Sequence, residues 1–208
     1  ELYTTDAADV TLTASPGSSA GSAVALSDLN DDGFDDLAIG APDGGNEGAG
    51  QVAVVFGSGA WQSASRLDLE GTAATLITGS RWLEQVGWSL SGGEDLDGDG
   101  CEDLAIGAPG WRRPDALETS GPGRVYLFYG SPYVLVGLLE ADDADVSLHG
   151  GTPGHSDPDT DPKNGARAGE QLALLGAWYS RDDQTRGSEL LIAAPLLDED
   201  DQLADIGR

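Results

Sequence analysis

The stretch SDLNDDGFDDLAIGAP occupies residues 27–42, and a close copy, EDLDGDGCEDLAIGAP, occupies residues 94–109, 67 positions further along the chain. A third and more eroded copy, GSELLIAAP, occupies residues 187–195. Similarity at a fixed spacing of this size is typical of repeat proteins such as solenoids and propellers. The chain is therefore predicted to consist of repeated structural units.

Short segments with the alternation or β-branched content of strands flank each copy in the same order. Those before the acidic stretch are AGSAVAL from Ala20, VGWSLSG from Val86 and AGEQLALLG from Ala168. Those after it are GQVAVVFG from Gly50 and GRVYLFYG from Gly123, and then ATLITGS from Ala74 and DVSLHG from Asp145 as outer strands. DVTLTA from Asp9 matches these outer strands. Each repeat is therefore predicted to contain four short strands.

Four antiparallel strands in roughly 65 residues predict the blade of a β-propeller, an all-β fold. A β-sandwich also uses short alternating strands, but sandwiches rarely repeat their sequence internally. The expected repeat units are residues 1–14 (outer strand only), 20–79, 86–150 and 168–208 (incomplete), which give two complete blades and parts of two others. Because unpaired sheet edges recruit other chains, we expect self-association or pairing with the rest of a parent chain.

The acidic stretches carry the pattern D-x-[DN]-x-D-G-x-x-D, in which oxygen ligands at alternate positions of a tight loop converge on one point. The glycine at the sixth position permits the sharp turn. We expect two calcium ions, held by side chains at positions one, three, five and nine and by a backbone carbonyl at position seven. The predicted ligands are Asp28, Asn30, Asp32, Phe34 and Asp36 in the first loop and Asp95, Asp97, Asp99, Cys101 and Asp103 in the second. Since the loops lie in different repeats, the two sites are expected to bind independently.

Two other interpretations of these loops are weaker. An EF-hand needs a glutamate at the twelfth position, where this chain has Ile39 and Ile106. A solvated acidic turn without metal would leave several carboxylates repelling one another. The third copy has lost the pattern and is predicted to bind no ion, and the run DPDTDPKNG from Asp157 is predicted to be a surface loop.

Composition narrows the classes of partner. The chain has 37 acidic and 10 basic residues and a formal net charge of −27, which argues against nucleic acid. Its longest apolar stretch, residues 133–139, is far shorter than the ~20 residues of a membrane span, so no membrane insertion is expected. The one cysteine, Cys101, excludes an intrachain disulfide and a paired-cysteine zinc site, and is expected to be a small buried hydrophobe.

The motifs resemble those of the FG-GAP repeat family, found in integrin α subunits and many bacterial surface proteins. The GAP mark stands at residues 40–42 and 107–109, and as Ala-Ala-Pro at residues 193–195. The FG mark keeps its glycine at Gly21, Gly87 and Gly169 but has lost its aromatic residue, which indicates a divergent member, expected to be of bacterial type. The resemblance implies a seven-bladed propeller, calcium in the hairpin loops, and adhesion or ligand recognition through loops on the opposite face.

These features predict an extracellular binding or adhesion module that is not an enzyme, with a protein ligand or surface glycan as partner. A G-x-S-x-G match at residues 17–21 lacks the strand-to-helix context of a hydrolase. Two alternatives stay open: the non-catalytic propeller of a larger secreted hydrolase, and a carbohydrate-binding propeller that uses Trp61, Trp82 or Trp88, although these residues could instead pack between blades. Trp111, Arg112 and Arg113 form either a partner contact or a salt-bridged loop.

Overall fold

The computed structural model describes residues 10–58, 66–112, 121–132, 136–150, 167–175 and 189–193. Its strands in chain order are β1 (Thr11–Thr13), β2 (Ala23–Ser27), β3 (Asp36–Ala41), β4 (Gln51–Val55), β5 (Arg66–Asp68), β6 (Thr75–Thr78), β7 (Ser89–Glu94), β8 (Asp103–Ala108), β9 (Arg124–Phe128), β10 (Gly137–Glu140), β11 (Val146–His149), β12 (Gln171–Leu175) and β13 (Glu189–Ala193). The helices are short: a 3-10 turn at Asn46–Gly48, α1 at Leu69–Thr72 and a 3-10 turn at Ala141–Asp143. In the described part of the chain, no helix has the length and apolar character needed to cross a membrane.

The strands form antiparallel sheets in the order that the repeats predict. The first sheet runs β2-β3-β4-β6, the second runs β7-β8-β9-β11, and the third contains β12 and β13. In both complete sheets the DLAIGA strand is central, and its isoleucine pairs with the strand that follows: Ile39 with Ala53, and Ile106 with Tyr126. The prediction of antiparallel four-strand units is thereby confirmed.

The sheets stack face to face, as blades do. The inner strand β2 lies beside β7, and β7 lies beside β12. The core between the first two sheets contains Ala38, Val52, Val54, Ile77, Leu104, Ile106, Tyr126 and Phe128. The next residue along β8, Ala105, faces the third sheet together with Leu127 and Leu174. A central strand of a stacked sheet is thus buried on both faces, which explains why DLAIGA is continuously apolar after its aspartate.

Two parallel pairings between repeats were not predicted from the sequence. β10 of the second repeat pairs in parallel with β6 and extends the first sheet to five strands. β5 pairs in parallel with β1 in the same manner. β1 and β6 are therefore each paired with a strand of the following repeat, which satisfies an edge that would otherwise expose backbone groups. The four antiparallel strands predicted for a blade are present in both complete sheets, and β10 is a fifth strand that the first sheet gains from the second repeat.

A buried carboxyl ties the connection between the first two sheets to the second sheet. Glu84 lies in the connection between β6 and β7 and is fully buried. Its carboxylate accepts the backbone N–H groups of Ser80 and Arg81 at 3.1 Å each, and the hydroxyl of Tyr126 in β9 donates to its other oxygen. Burial raises the pKa of Glu84 above its usual 4.5, and Asp142 raises it further, although the three donated hydrogen bonds act in the opposite direction.

The raised pKa of Glu84 makes a prediction about pH. The folded state binds the proton more tightly than the unfolded chain, so this stabilisation is complete below pH 4.5 and is lost as the pH rises through the folded-state pKa. We expect the free energy of unfolding of the wild type, relative to Glu84→Gln, to increase as the pH is lowered from 7 towards 4.5. Thermal melts of both proteins across this range measure the difference. Glu47→Gln, at an exposed position, is the control, and a parallel pH profile for wild type and Glu84→Gln would contradict the prediction.

Candidate metal centre

Both acidic loops are the turns of β-hairpins. The first joins β2 to β3, and the second joins β7 to β8. The aspartate at the ninth position of the pattern is in each case the first residue of the central strand, namely Asp36 in β3 and Asp103 in β8. Each loop therefore leads into a buried strand and not into a helix, as the sequence predicted.

Carboxylate and amide oxygens hold each loop by accepting its own backbone N–H groups. Asp28 accepts from Asp32 and Gly33 at 3.0 Å each, and the equivalent Asp95 accepts from Gly98 and Gly100 at 2.6 and 3.0 Å. The third and fifth positions each accept the N–H two residues further on, with acceptors Asn30, Asp32, Asp97 and Asp99 at 2.8 to 3.1 Å. These local bonds draw the side chains inward along a tight turn.

The turn requires a left-handed backbone at two positions. At the sixth position, Gly33 has φ +84° and Gly100 has φ +102°. At the fourth position, Gly98 has φ +83°, whereas the first loop places Asp31 there with φ +54°. Aspartate tolerates this conformation better than most residues with a side chain, so both loops can adopt the same shape.

The second loop brings three carboxylates to one point. One oxygen from each of Asp95, Asp97 and Asp99 lies within 4.8 Å of the others. Two oxygens bound to the same calcium ion at about 2.4 Å cannot be more than about 4.8 Å apart, so this spacing fits a shared ion. In the first loop the third position is Asn30, whose Nδ2 donates to Asp32 at 3.2 Å, and whose amide oxygen is the atom that could bind a cation.

The ninth-position aspartates have a second role that the pattern did not reveal. Asp36 accepts the N–H groups of Leu29 at 3.1 Å and Gly57 at 2.8 Å, and Asp103 accepts those of Leu96 at 2.7 Å and Gly130 at 2.9 Å. Each carboxylate therefore ties the start of its loop to the strand beyond it. Asp103 is not one of the three clustered carboxylates, but two N–H bonds leave further lone pairs on its oxygens.

Burial changes the ionisation of these anchoring carboxyls. Both are almost fully buried, and desolvation raises the pKa of Asp36 to about 6 and also raises the pKa of Asp103. In each case the two backbone N–H bonds act against the increase, and the neighbouring loop aspartates add to it. A cation in the loop would oppose this effect, because a nearby positive charge favours the ionised form.

The seventh-position residues differ in their surroundings. The side chain of Phe34 is half exposed, whereas Cys101 is buried with a free thiol. Burial raises the pKa of Cys101 to about 11, and nearby aspartates add to the shift. Cys101 is therefore the small buried hydrophobe that the sequence predicted.

The two loops are in direct contact. The backbone N–H of Asp28 donates to the carboxylate of Glu102 at 2.8 Å, and the N–H of Glu102 donates to the carbonyl of Asp28 at 3.1 Å. Glu102 is the eighth residue of the second loop. Its role could not be read from the pattern, because that position is variable in it.

In the described part of the chain, the structure does not bring the other candidate residues together into one site. Trp111 is buried, with the Arg124 guanidinium 3.8 Å from its ring centroid and His149 stacked at 6.1 Å, so it packs inside the fold. Arg112 lies 5.4 Å from the ring of the exposed Trp82. Arg113, Trp61, the third-copy loop and the run from Asp157 lie outside the described residues.

Comparison with known proteins agrees with these motifs. A family model described as the FG-GAP repeat matches residues 20–55 and 86–128. The chain is 38% identical to integrin alpha-PS5 of Drosophila melanogaster over 131 residues, which are 61% of this chain and 11% of that protein. It is 41% identical to integrin alpha-IIb of Mus musculus over 131 residues, 62% of this chain and 11% of that protein. It is 39% identical to integrin alpha pat-2 of Caenorhabditis elegans over 161 residues, which are 76% of this chain and 12% of that protein.

The matches to repeat proteins identify the type of fold. The chain spans only about a tenth of the length of the relatives it matches. Both matched segments contain one acidic loop and the strands around it, so the stacked antiparallel sheets are blades of a β-propeller. That the chain is of the bacterial type stays a prediction.

Proposed function

This chain is a member of the FG-GAP repeat family, and we propose that it is a calcium-binding, extracellular β-propeller module for protein binding or cell adhesion, without catalytic activity. The observation that carries the proposal is the cluster of Asp95, Asp97 and Asp99, whose oxygens lie within 4.8 Å of one another in a loop that the first repeat reproduces. Divalent cation binding by such repeats is what the resemblance implies, and this donor set suits it.

Calcium is the proposed ion because all the donors are hard oxygens in a small turn. Calcium takes six to eight oxygens in flexible geometry, whereas magnesium demands a strict octahedron and retains its waters. The proposed ligands are the side chains of Asp28, Asn30, Asp32, Asp36, Asp95, Asp97, Asp99 and Asp103, with the carbonyls of Phe34 and Cys101. An ion surrounded in this way by protein oxygens stabilises a fold and leaves no open position for a reacting group.

The extracellular role is proposed from the similarity to integrin alpha subunits and from the charge. Extracellular calcium is abundant enough to fill such loops, and 37 acidic residues suit a chain that binds cations. The repeat units that we propose are residues 1–14, 20–79, 86–150 and 168–208. The partner would be a protein or a surface glycan that contacts the loops away from the calcium hairpins.

One observation favours carbohydrate as the partner. Trp82 is 59% exposed and Trp88 is 37% exposed, and each has an arginine within 6 Å of its ring, Arg112 and Arg167 respectively. An aromatic face flanked by a cationic donor can stack on a sugar. Binding of the wild type, but not of Trp82→Ala, to immobilised glycans would support this candidate.

We expect single substitutions to remove single ions. Asp99→Ala deletes the ligand at the fifth position of the second loop and Asp32→Ala deletes the equivalent ligand of the first, so each variant should bind one calcium ion at saturation where the wild type binds two. Calorimetric titration of the metal-free chain counts the ions. Asp35→Asn, an exposed acid in the same loop but not a proposed ligand, should still bind two, and a wild type that binds none would refute the calcium proposal.

A further inference from the structure

The contact between the two acidic loops is made by residues next to the proposed ligands. Asp28, the first position of the first loop, and Glu102 of the second loop exchange two hydrogen bonds, one to a backbone carbonyl and one to a carboxylate. The next residue of the first loop makes a third hydrogen bond to the second repeat, in which the N–H of Ser131 donates to the carbonyl of Leu29 at 2.7 Å. The base of the first loop is therefore held by the second repeat.

Both partners in this contact fix ligand positions. The carboxylate of Asp28 holds the backbone of Asp32 and Gly33, so a displacement of Asp28 would disturb the first loop as a whole. Glu102 stands between Cys101 and Asp103, two proposed ligands of the second loop. The backbone of Glu102 cannot move without moving those neighbours.

Charge makes the order of the second loop depend on its ion. Three carboxylates within 4.8 Å repel one another, and a bound cation replaces that repulsion with attraction. When the second loop is ordered by its ion, Glu102 is placed to bond Asp28, and the first loop then has less conformational freedom to lose on binding. Ligands that share an ordering cost bind with positive cooperativity.

We propose that Glu102 couples the two loops, so that a cation in one raises the affinity of the other. This inference rests on the proposed function, namely that both loops bind calcium, and it replaces the independence that was expected when the loops were placed on separate blades. Linkage requires the effect to be reciprocal, with the same factor in both directions.

The repeats supply a control for this role. Asp35 occupies the eighth position of the first loop, as Glu102 does in the second, and its side chain is exposed. Asp35→Asn removes a negative charge from the same loop position without touching the contact between loops. Glu102→Gln removes the charge but keeps an oxygen that can accept from Asp28, and Glu102→Ala removes both.

The experiment is a calorimetric titration of the metal-free chain with calcium chloride. The wild type should bind two ions with a Hill coefficient above one. Glu102→Ala should still bind two, with a Hill coefficient near one and an apparent affinity weaker by roughly fivefold or more. Asp35→Asn should keep the cooperativity of the wild type, and Glu102→Gln should keep more of it than Glu102→Ala.

A cross-test does not depend on the folding of Glu102→Ala. Asp99→Ala should weaken the remaining first-loop site, and Asp32→Ala should weaken the second-loop site by the same factor. If the remaining site in each variant binds calcium with the same affinity as in the wild type, the coupling is overturned while the proposal of two calcium sites stands. Cooperativity that survives in a folded Glu102→Ala would remove Glu102 from its role, and absence of any binding by the wild type would overturn the proposed function itself, and with it this inference.

Discussion

Removal of calcium is expected to lower the melting temperature of this chain by roughly 10–20 °C. An ion that binds only the folded state adds about 2.7 kcal/mol at a hundredfold excess over its dissociation constant, and two such sites add about twice that. For a chain of this size each kcal/mol shifts the melting temperature by about 2–4 °C. The net charge of −27 acts in the same destabilising direction, because acidic loops without calcium would add to the self-repulsion of the folded state.

The measurement is a pair of thermal melts, one in millimolar calcium and one in excess chelator, followed by recovery on adding calcium back. Sodium chloride at matched ionic strength controls for simple screening, which acts on all exposed charges and not on the loops alone. The double variant Asp32→Ala with Asp99→Ala should melt at the same temperature with or without calcium. If the melting temperature of the wild type is also the same in calcium and in chelator, and the chelator-treated sample is shown to be metal-free, the ions do not stabilise this fold.

The main strands could be predicted because they depend on local pattern and on repetition. DLAIGA occurs twice, is preceded by a turn and is followed directly by a proline, so its boundaries were defined from both ends. In the structure both copies are central strands with equivalent registers. The acidic loops were equally predictable, since the positions of their oxygens and glycines follow from the geometry of one tight turn.

Features that depend on contacts between repeats were not predictable. β10 pairs with β6 of the preceding repeat, and nothing in its own sequence specifies a partner so distant in the chain. The sequence left open whether Trp111, Arg112 and Arg113 form a partner contact or a salt-bridged loop. It did not indicate that Trp111 is buried, with Arg124 from the start of β9 against its ring. The bond between Asp28 and Glu102 likewise arises only when two blades stack.

The glycines of the family marks show the same dependence. Gly87 and Gly169 of the FG marks have φ of +86° and +88°, and each lies against a glycine of the preceding GAP mark, Gly40 and Gly107 respectively. The lost aromatic of the second FG mark leaves Val86, which is fully buried. The sequence showed these glycines as separate marks, whereas the structure shows that they are two sides of one contact between blades.

Gly107→Ala is therefore expected to be among the most destabilising single substitutions in this chain. A methyl group at Gly107 would lie 2.1 Å from the backbone oxygen of Gly169 and 2.2 Å from Oγ of Ser89. The serine could rotate away, but its hydroxyl donates to that same oxygen at 2.6 Å, and β8 is buried along its whole length. Overpacking of a rigid core costs typically 1–3 kcal/mol and occasionally more, and a contact with backbone belongs at the upper end, about 3 kcal/mol.

Thermal melts in saturating calcium measure this loss, which should lower the melting temperature by roughly 6–12 °C. Gly40→Ala is the equivalent variant in the first repeat, because its methyl group would lie 2.1 Å from the backbone oxygen of Gly87. Its melting temperature should fall by a similar amount. Gly71→Ala in α1 is the control, since its only neighbour would be Asp68 at 3.9 Å and alanine favours a helix. If Gly107→Ala melts no lower than Gly71→Ala, the blades can separate at this point without cost, and the close glycine contact does not hold the stack together.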